Sequence, residues 1–233
     1  MIMINKDIDF SDLGLIEYKK AWDHQKELFS EIVKQKSNNK DKPEPERVKI
    51  PNYLIFCEHP HVYTLGKSGS VSNLLINEIQ LKQKGAELYN IDRGGDITYH
   101  GPGQIIGYPI LDLENFGLGI RKYIHLLEES VILTLKEYDI SSGRLKNAAG
   151  VWLDTGDPER SRKICAIGVR SSRWITMHGF AFNVNTCLDF YNYINPCGLM
   201  DKGVTSMEKE LGGKQDMEKA KKILLKHFIT LFS

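Results

Sequence analysis

The chain has 233 residues, 41% hydrophobic and 26% charged, with a formal net charge of +1. These are the proportions of an ordinary globular protein, so disordered, collagen-like and membrane-embedded classes drop out, and the near-neutral balance gives no reason to expect nucleic acid or a membrane surface as partner. One domain, 1–233, fits this length. Lys6, Asp7 and Asp9 break up the first ten residues, so no secretory leader is read. No apolar run approaches the roughly 18 residues of a spanning helix. A cytoplasmic protein is therefore predicted, with Cys57, Cys165, Cys187 and Cys197 as free thiols.

In chain order, residues 12–36 carry Leu15, Tyr18, Trp22, Leu28, Phe29, Ile32 and Val33 at mostly helical spacing, and an amphipathic helix is predicted there. Residues 37–46, polar and with two prolines, read as a surface loop. Residues 53–57 and 62–66 read as two strands joined by the histidine-bearing turn Glu58-His59-Pro60-His61. A modest helix over 73–84 and a strand over 87–92 follow. Residues 105–113 form an apolar, buried strand. Ile120, Tyr123, Ile124, Leu127, Val131, Leu135 and Tyr138 mark the cleanest helical stripe of the chain. Beyond it come a short strand at 151–153, a polar turn at 154–162, a hairpin of 164–170 with 177–184, and a terminal helix carrying Met217, Ile223, Leu224, Phe228 and Leu231. Long helices set between groups of strands predict an α/β (α+β) fold, a mixed sheet with packed helices.

Two segments stand out chemically. Residues 93–104, Arg-Gly-Gly-Asp-Ile-Thr-Tyr-His-Gly-Pro-Gly-Gln, hold four glycines. Their entropic cost suits either a wall of a binding site or a glycine-rich hairpin turn. In 193–199, Cys197 stands between Pro196 and Gly198 on a defined loop, a candidate nucleophile, while Cys57, Cys165 and Cys187 read as packing residues. An ordinary thiol is only a few per cent thiolate at neutral pH, so a catalytic one needs a partner. Lys163, opening a strand, fits that role, or is simply a solvated lysine beside Arg162. His59, His61, His100 and His178 have no zinc-site spacing, and read as hydrogen-bond donors or pocket walls. Arg93 and Asp96 fit either an ion pair fixing the glycine loop or ligand contacts.

These residues resemble a known family. Residues 93–104 look like the signature of the octanoyltransferases (lipoyl(octanoyl) transferases). The likeness continues in His59-Pro60 with Thr64-Leu65-Gly66, in 163–168, in His178-Gly179-Phe180-Ala181-Phe182-Asn183-Val184 and in Ile194-Asn195-Pro196-Cys197-Gly198, all in family order across about residues 50–205. The resemblance implies a domain similar to the catalytic domains of biotin and lipoate protein ligases. It implies transfer of an octanoyl group from octanoyl-acyl carrier protein to a lysine of lipoyl domains, those of 2-oxoacid dehydrogenases and the glycine cleavage H protein, with no cofactor and no metal. Cys197 matches the residue that takes the acyl chain as a thioester, and Lys163 the lysine that tunes it and handles protons. The substrate-binding blocks match Arg93, Gly94, Gly95, Asp96, Ile97, Thr98, Tyr99 and His100; Ala166, Ile167 and Gly168; and Gly179, Phe180 and Ala181. Glycines 94, 95, 168 and 179 would let backbone approach the acyl chain, with Tyr99 lining it. Alternatives are an ATP-dependent lipoate or biotin protein ligase, and a non-catalytic module that binds an acyl group or a lipoyl domain.

Overall fold

A computed structural model describes residues 5–195 and 203–233. Among them, the main sheet runs in the order β1 (Asp9–Leu15), β2 (Tyr53–Glu58), β6 (Gln104–Ile110), β10 (Ile175–Asn183), β9 (Arg162–Ser172), β8 (Ala148–Leu153) and β7 (Gly143–Leu145). A short β11 (Gly203–Val204) pairs in parallel with the start of β9. A second, three-stranded sheet has the order β4 (Glu87–Asn90), β3 (Val62–Leu65), β5 (Ile97–His100). Both sheets mix parallel and antiparallel pairs, as a mixed α/β fold requires.

Helices cover the main sheet on both faces. On one face α3 (Ile120–Lys136) and α5 (Met217–Phe232) bury Tyr123, Leu127, Val131, Leu224 and Phe228 against Leu54, Phe56, Ile105, Val151 and Phe182. On the other, α1 (Tyr18–Lys40) packs Ala21, Phe29 and Ile32 on Ile55, Ile106, Ile110 and Ala181. Alternate residues of β2 and β6 thus feed opposite cores, the period-two rule of a strand buried on both faces. The small sheet stands over the α1 face and has its own core around Tyr63, Tyr99 and Ile97.

Several expectations need correction. Residues 12–15 belong to β1, an exposed edge strand whose apolar residues face no single core. The first helix starts at Tyr18 and runs through residues 37–40, expected as loop, because the Asn39 side chain exchanges two hydrogen bonds with the Val48 backbone and holds the last turn. The two strands expected on either side of the histidine-bearing turn are present, at 53–58 and 62–65, and lie in different sheets. The helix expected over 73–84 shrinks to a 3₁₀ turn, Val71–Asn73, and α2 (Glu78–Gln83), started by a reciprocal Asn77–Gln80 capping box. β7, β11 and α4 (Met207–Leu211) were too short to leave a periodic signal.

Candidate active site

The main sheet and the glycine-rich segment enclose a cavity of about 830 Å³, within the range of about 300–1,000 Å³ usual for small-molecule sites. Ala166, Ile167 and Gly168 of β9, Gly179, Phe180 and Ala181 of β10, and Ile106 and Tyr108 of β6 form its floor. Arg93, Gly95, Asp96, Ile97, Thr98 and His100 form its roof.

Lys163 stands at one end. A register shift between Val151 and Trp152 leaves Ile164 as an extra residue on β9, with Val151 opposite Cys165 but Trp152 opposite Lys163. The bulge sends both Ile164 and Cys165 into the helix-covered core and turns Lys163 to the cavity. Its ammonium lies 4.6 Å from the centre of the Trp152 ring, which is fixed by an indole hydrogen bond to the Ala148 carbonyl of 3.0 Å. Among the described residues no carboxylate lies within ion-pair reach of Lys163. Burial, with a smaller push from the Arg93 charge, therefore lowers its pKa to about 8. On its other side β11 pairs with Lys163 through Val204, and the Thr205 N–H donates to the Lys163 carbonyl at 2.9 Å.

The roof is held by its own hydrogen bonds. Arg93, 7% exposed, donates to the Thr64 carbonyl at 2.7 Å, to the Thr64 hydroxyl at 2.9 Å and to the Gly94 carbonyl at 3.1 Å. Asp96 accepts from the Asn73 amide at 2.8 and 2.9 Å. Each anchors the loop through other residues. His100 bonds the Gln104 side-chain oxygen through Nδ1 at 2.9 Å and the Thr64 hydroxyl through Nε2 at 3.4 Å. Burial pushes its pKa down to about 3, so it is neutral, and the pairing with the Gln104 oxygen makes Nδ1 the donor. Gln104 in turn donates to Asn183 at 2.8 Å, and Asn183 to the Thr205 carbonyl at 3.0 Å. A buried chain of hydrogen bonds thus ties the glycine-rich segment to the strand that flanks Lys163. His178 adopts a left-handed φ of 62° in mid-strand, costly for a non-glycine residue. Two bonds hold it there, from its N–H to Gln25 at 3.1 Å and from its ring to Asp92 at 3.0 Å.

Of the residues singled out in the sequence, the cavity collects Lys163, Arg93, Gly95, Asp96, Ile97, Thr98, His100, His178, Ala166, Ile167, Gly168, Gly179, Phe180 and Ala181. Tyr99 is not among them: as its neighbours on β5 face the cavity, its ring points away and stacks on Phe190 at 4.9 Å. Gly94 lies behind the wall, its N–H bonded to the Val169 carbonyl at 3.0 Å. Gly168 and Gly179 line the cavity and also serve contacts within the protein: a Cβ at Gly179 would stand 2.1 Å from the Gly107 carbonyl oxygen, and one at Gly168 2.9 Å from that of Gly94. Cys57 and Cys165 are buried, but Cys187 is exposed and is not a packing residue. Cys197 falls outside the described residues. The residues on either side of that stretch, Ile194 and Asn195 before it and Gly203 and Val204 after it, all line the cavity. Sequence reasoning missed Trp152, Tyr191, Asn183 and Tyr18 as cavity residues. Only Asn183 carried a signal, as a polar residue inside an apolar strand run.

Residues 17–229 match the family model of the lipoyl protein ligase A/B catalytic domain. A relative from Flavobacterium johnsoniae, named octanoyltransferase, is 57% identical over 232 residues and covers 98% of each chain. The chain belongs to the octanoyltransferase family. It is an acyltransferase of lipoyl or octanoyl groups. In fold, the family member resembles a putative lipoate protein ligase from Thermoplasma acidophilum, with a TM-score of 0.67 at 13% identity over 97% of this chain and 85% of that one. It resembles equally the bipartite lipoate protein ligase of that organism, described together with its E2 lipoyl domain, with a TM-score of 0.65 at 15% identity over 97% of this chain and 84% of the other. Among the described residues no helix is long and apolar enough to cross a membrane.

Proposed function

We propose that this octanoyltransferase takes its acyl group from octanoyl-acyl carrier protein, holds it as a thioester on Cys197, and passes it to a lysine of a lipoyl domain, with Lys163 carrying the protons. The observation that supports this most is the partly buried amine of Lys163, with its lowered pKa, in the same cavity that both flanks of the Cys197 segment line.

In the first half-reaction the Cys197 proton passes to the neutral Lys163 amine, and the thiolate attacks the donor thioester carbonyl. The C–S bond to the carrier breaks, and the carrier thiolate leaves with a proton returned by Lys163. In the second, the acceptor amine attacks the Cys197 thioester, its proton goes to Lys163, and the Cys197 sulfur departs. One thioester replaces another in the first step, so no ATP is required, and the kinetics are ping-pong. An amine with pKa near 8 suits both directions of proton transfer at neutral pH. The residues proposed to bind substrate are those of the sequence blocks that reach the cavity, with Arg93, Gly95 and 96–98 above the chain, His100 beside them, and 166–168 and 179–181 beneath. Acceptors would be the lipoyl domains of 2-oxoacid dehydrogenases and the glycine cleavage H protein. The likeness to a ligase described with its E2 lipoyl domain supports such acceptors.

The test is the intact mass of the protein after incubation with octanoyl-acyl carrier protein in the absence of ATP. One octanoyl adduct, absent from Cys197→Ser, is expected. No adduct without ATP, with modification of a lipoyl domain once ATP and free octanoate are added, would point to a ligase instead. Tight binding of either partner with no transfer under any condition would make the chain a binding module.

A further inference from the structure

The cavity has a second end. From Lys163 to Gly168 β9 advances five residues, about 16 Å at 3.3 Å each, and the floor beyond continues through Gly179, opposite Gly168, toward Tyr108. The side chain that meets the cavity there is Tyr18, in the first turn of α1. It is 3% exposed. Its ring lies parallel to His100 at 6.1 Å, meets His59 edge-on at 5.1 Å and packs against Tyr89 at 5.3 Å. His59 is itself pinned, by the Ile16 carbonyl and the Tyr108 hydroxyl, both at 2.7 Å.

Tyr18 also lines a second, smaller pocket of about 130 Å³ on the far side, between Glu17, Pro60, His61, Val62, Gly85 and Glu87. One residue therefore borders both the acyl cavity and a surface pocket. Nothing in the reaction proposed above uses it, and its packing on fixed rings makes it a rigid partition rather than a swinging lid.

Resting on the acyl-transfer reading, we propose that Tyr18 is the end wall of the acyl cavity and sets the longest chain the enzyme accepts. A chain anchored near Lys163 runs along the floor toward Tyr18 and cannot pass it without expelling a ring clamped on three sides. Removing the ring joins the cavity to the outer pocket, and longer chains then extend through the gap. Tyr18 is a specificity-determining residue in this account. It takes no part in bond making.

The experiment presents acyl-carrier-protein thioesters of 6 to 16 carbons to the wild-type protein and to Tyr18→Ala, Tyr18→Leu and Tyr18→Phe, and follows acylation of a lipoyl domain by intact mass. The wild-type protein and Tyr18→Phe are expected to share one upper length limit. Tyr18→Ala raises it by at least two carbons, with a gain of at least tenfold in relative kcat/KM for the chain just above the wild-type limit, and Tyr18→Leu gives a smaller gain. A merely structural Tyr18 would lower the rates for all lengths in parallel. Unchanged length profiles in active Ala and Leu variants overturn the proposal. If Tyr18→Ala does not fold, Tyr18→Leu decides alone. Failure of the wild-type protein to transfer any chain would instead bring down the acyl-transfer reading, and the wall with it.

Discussion

Two lysines of this protein, Lys221 buried and Lys163 partly buried, have opposite environments. Lys221, on α5, is 7% exposed and has carboxylates around it: Asp12 at 2.9 Å, Glu218 at 3.1 Å and Glu58 at 3.9 Å. Burial works against its charge, but the hydrogen bonds it donates to Asp12 and then Glu218 outweigh it, and its pKa is raised. Lys163 has an aromatic ring and the Arg93 charge for company, and its pKa falls to about 8. Burial alone does not make an amine reactive; burial without a counter-ion does. Lys221 fastens α5 to β1 and β2. Lys163 is left as an amine able to give and take a proton near neutral pH.

The sharpest way to break this contrast is to remove each charge in turn. Lys163→Met is expected to lower octanoyl transfer by about 10²–10⁴-fold, the usual worth of a positioned acid–base group, while Lys221→Met leaves the transfer rate unchanged; equal losses would erase the distinction. Stability should respond the other way. Lys221→Met strands Asp12 and Glu58 and is expected to cost about 2 kcal/mol in urea melts at pH 7, below the roughly 3–5 kcal/mol of a fully buried broken pair because both carboxylates keep some contact with solvent. Lys163→Met should be at least as stable as the parent at pH 7. The sign follows from linkage: a lysine whose folded pKa lies below its unfolded one is a liability, fully present below about pH 8 and relieved as pH rises from there to about 10.4. The advantage of Lys163→Met over the parent should therefore shrink across that interval.

A smaller effect is kinetic. The rate of acyl transfer to a lipoyl domain should rise about tenfold per pH unit below pH 8 and level off above it, a limb that Lys163→Met loses. Smallest is the contribution of the ring. Trp152→Leu removes a cation–π contact worth about 0.5–2 kcal/mol to the ammonium, so the midpoint of that limb should move further down, by about 0.4–1.5 units; an upward shift would mean that the ring does not favour the charge.

How much of this was legible in the sequence varied with the kind of signal. Helix α3 and the β9–β10 hairpin carried their own periodicity and turn, and were found. Residues 12–15 of β1 read as the start of the first helix because an exposed edge strand presents no alternating face, and Leu15 stands three residues before Tyr18, at helical spacing. The division of β2 and β3 between two sheets was not readable, since the turn Glu58-His59-Pro60-His61 ends one strand without saying whether the next returns to it. In the site, most motif residues reach the cavity, but the Tyr99 ring does not: it stacks on Phe190 and joins the core of the small sheet, a contact between residues far apart in the sequence. Tyr18 looked like one more residue of an amphipathic stripe. Its place between two pockets depends on which surface α1 meets, and no local pattern records that. Lys163 looked like any solvated lysine from its neighbours alone, because the bulge at Ile164 that turns it inward is a property of strand pairing.

The most direct measurement is the titration of Lys163 itself, by following its side-chain ¹³Cε resonance with pH in the folded protein and assigning it with Lys163→Met. A midpoint near 8 is predicted. A midpoint near the ordinary lysine value of about 10.4 would contradict the account, because the amine would then be fully protonated at neutral pH and unable to accept the proton of either Cys197 or the acceptor lysine.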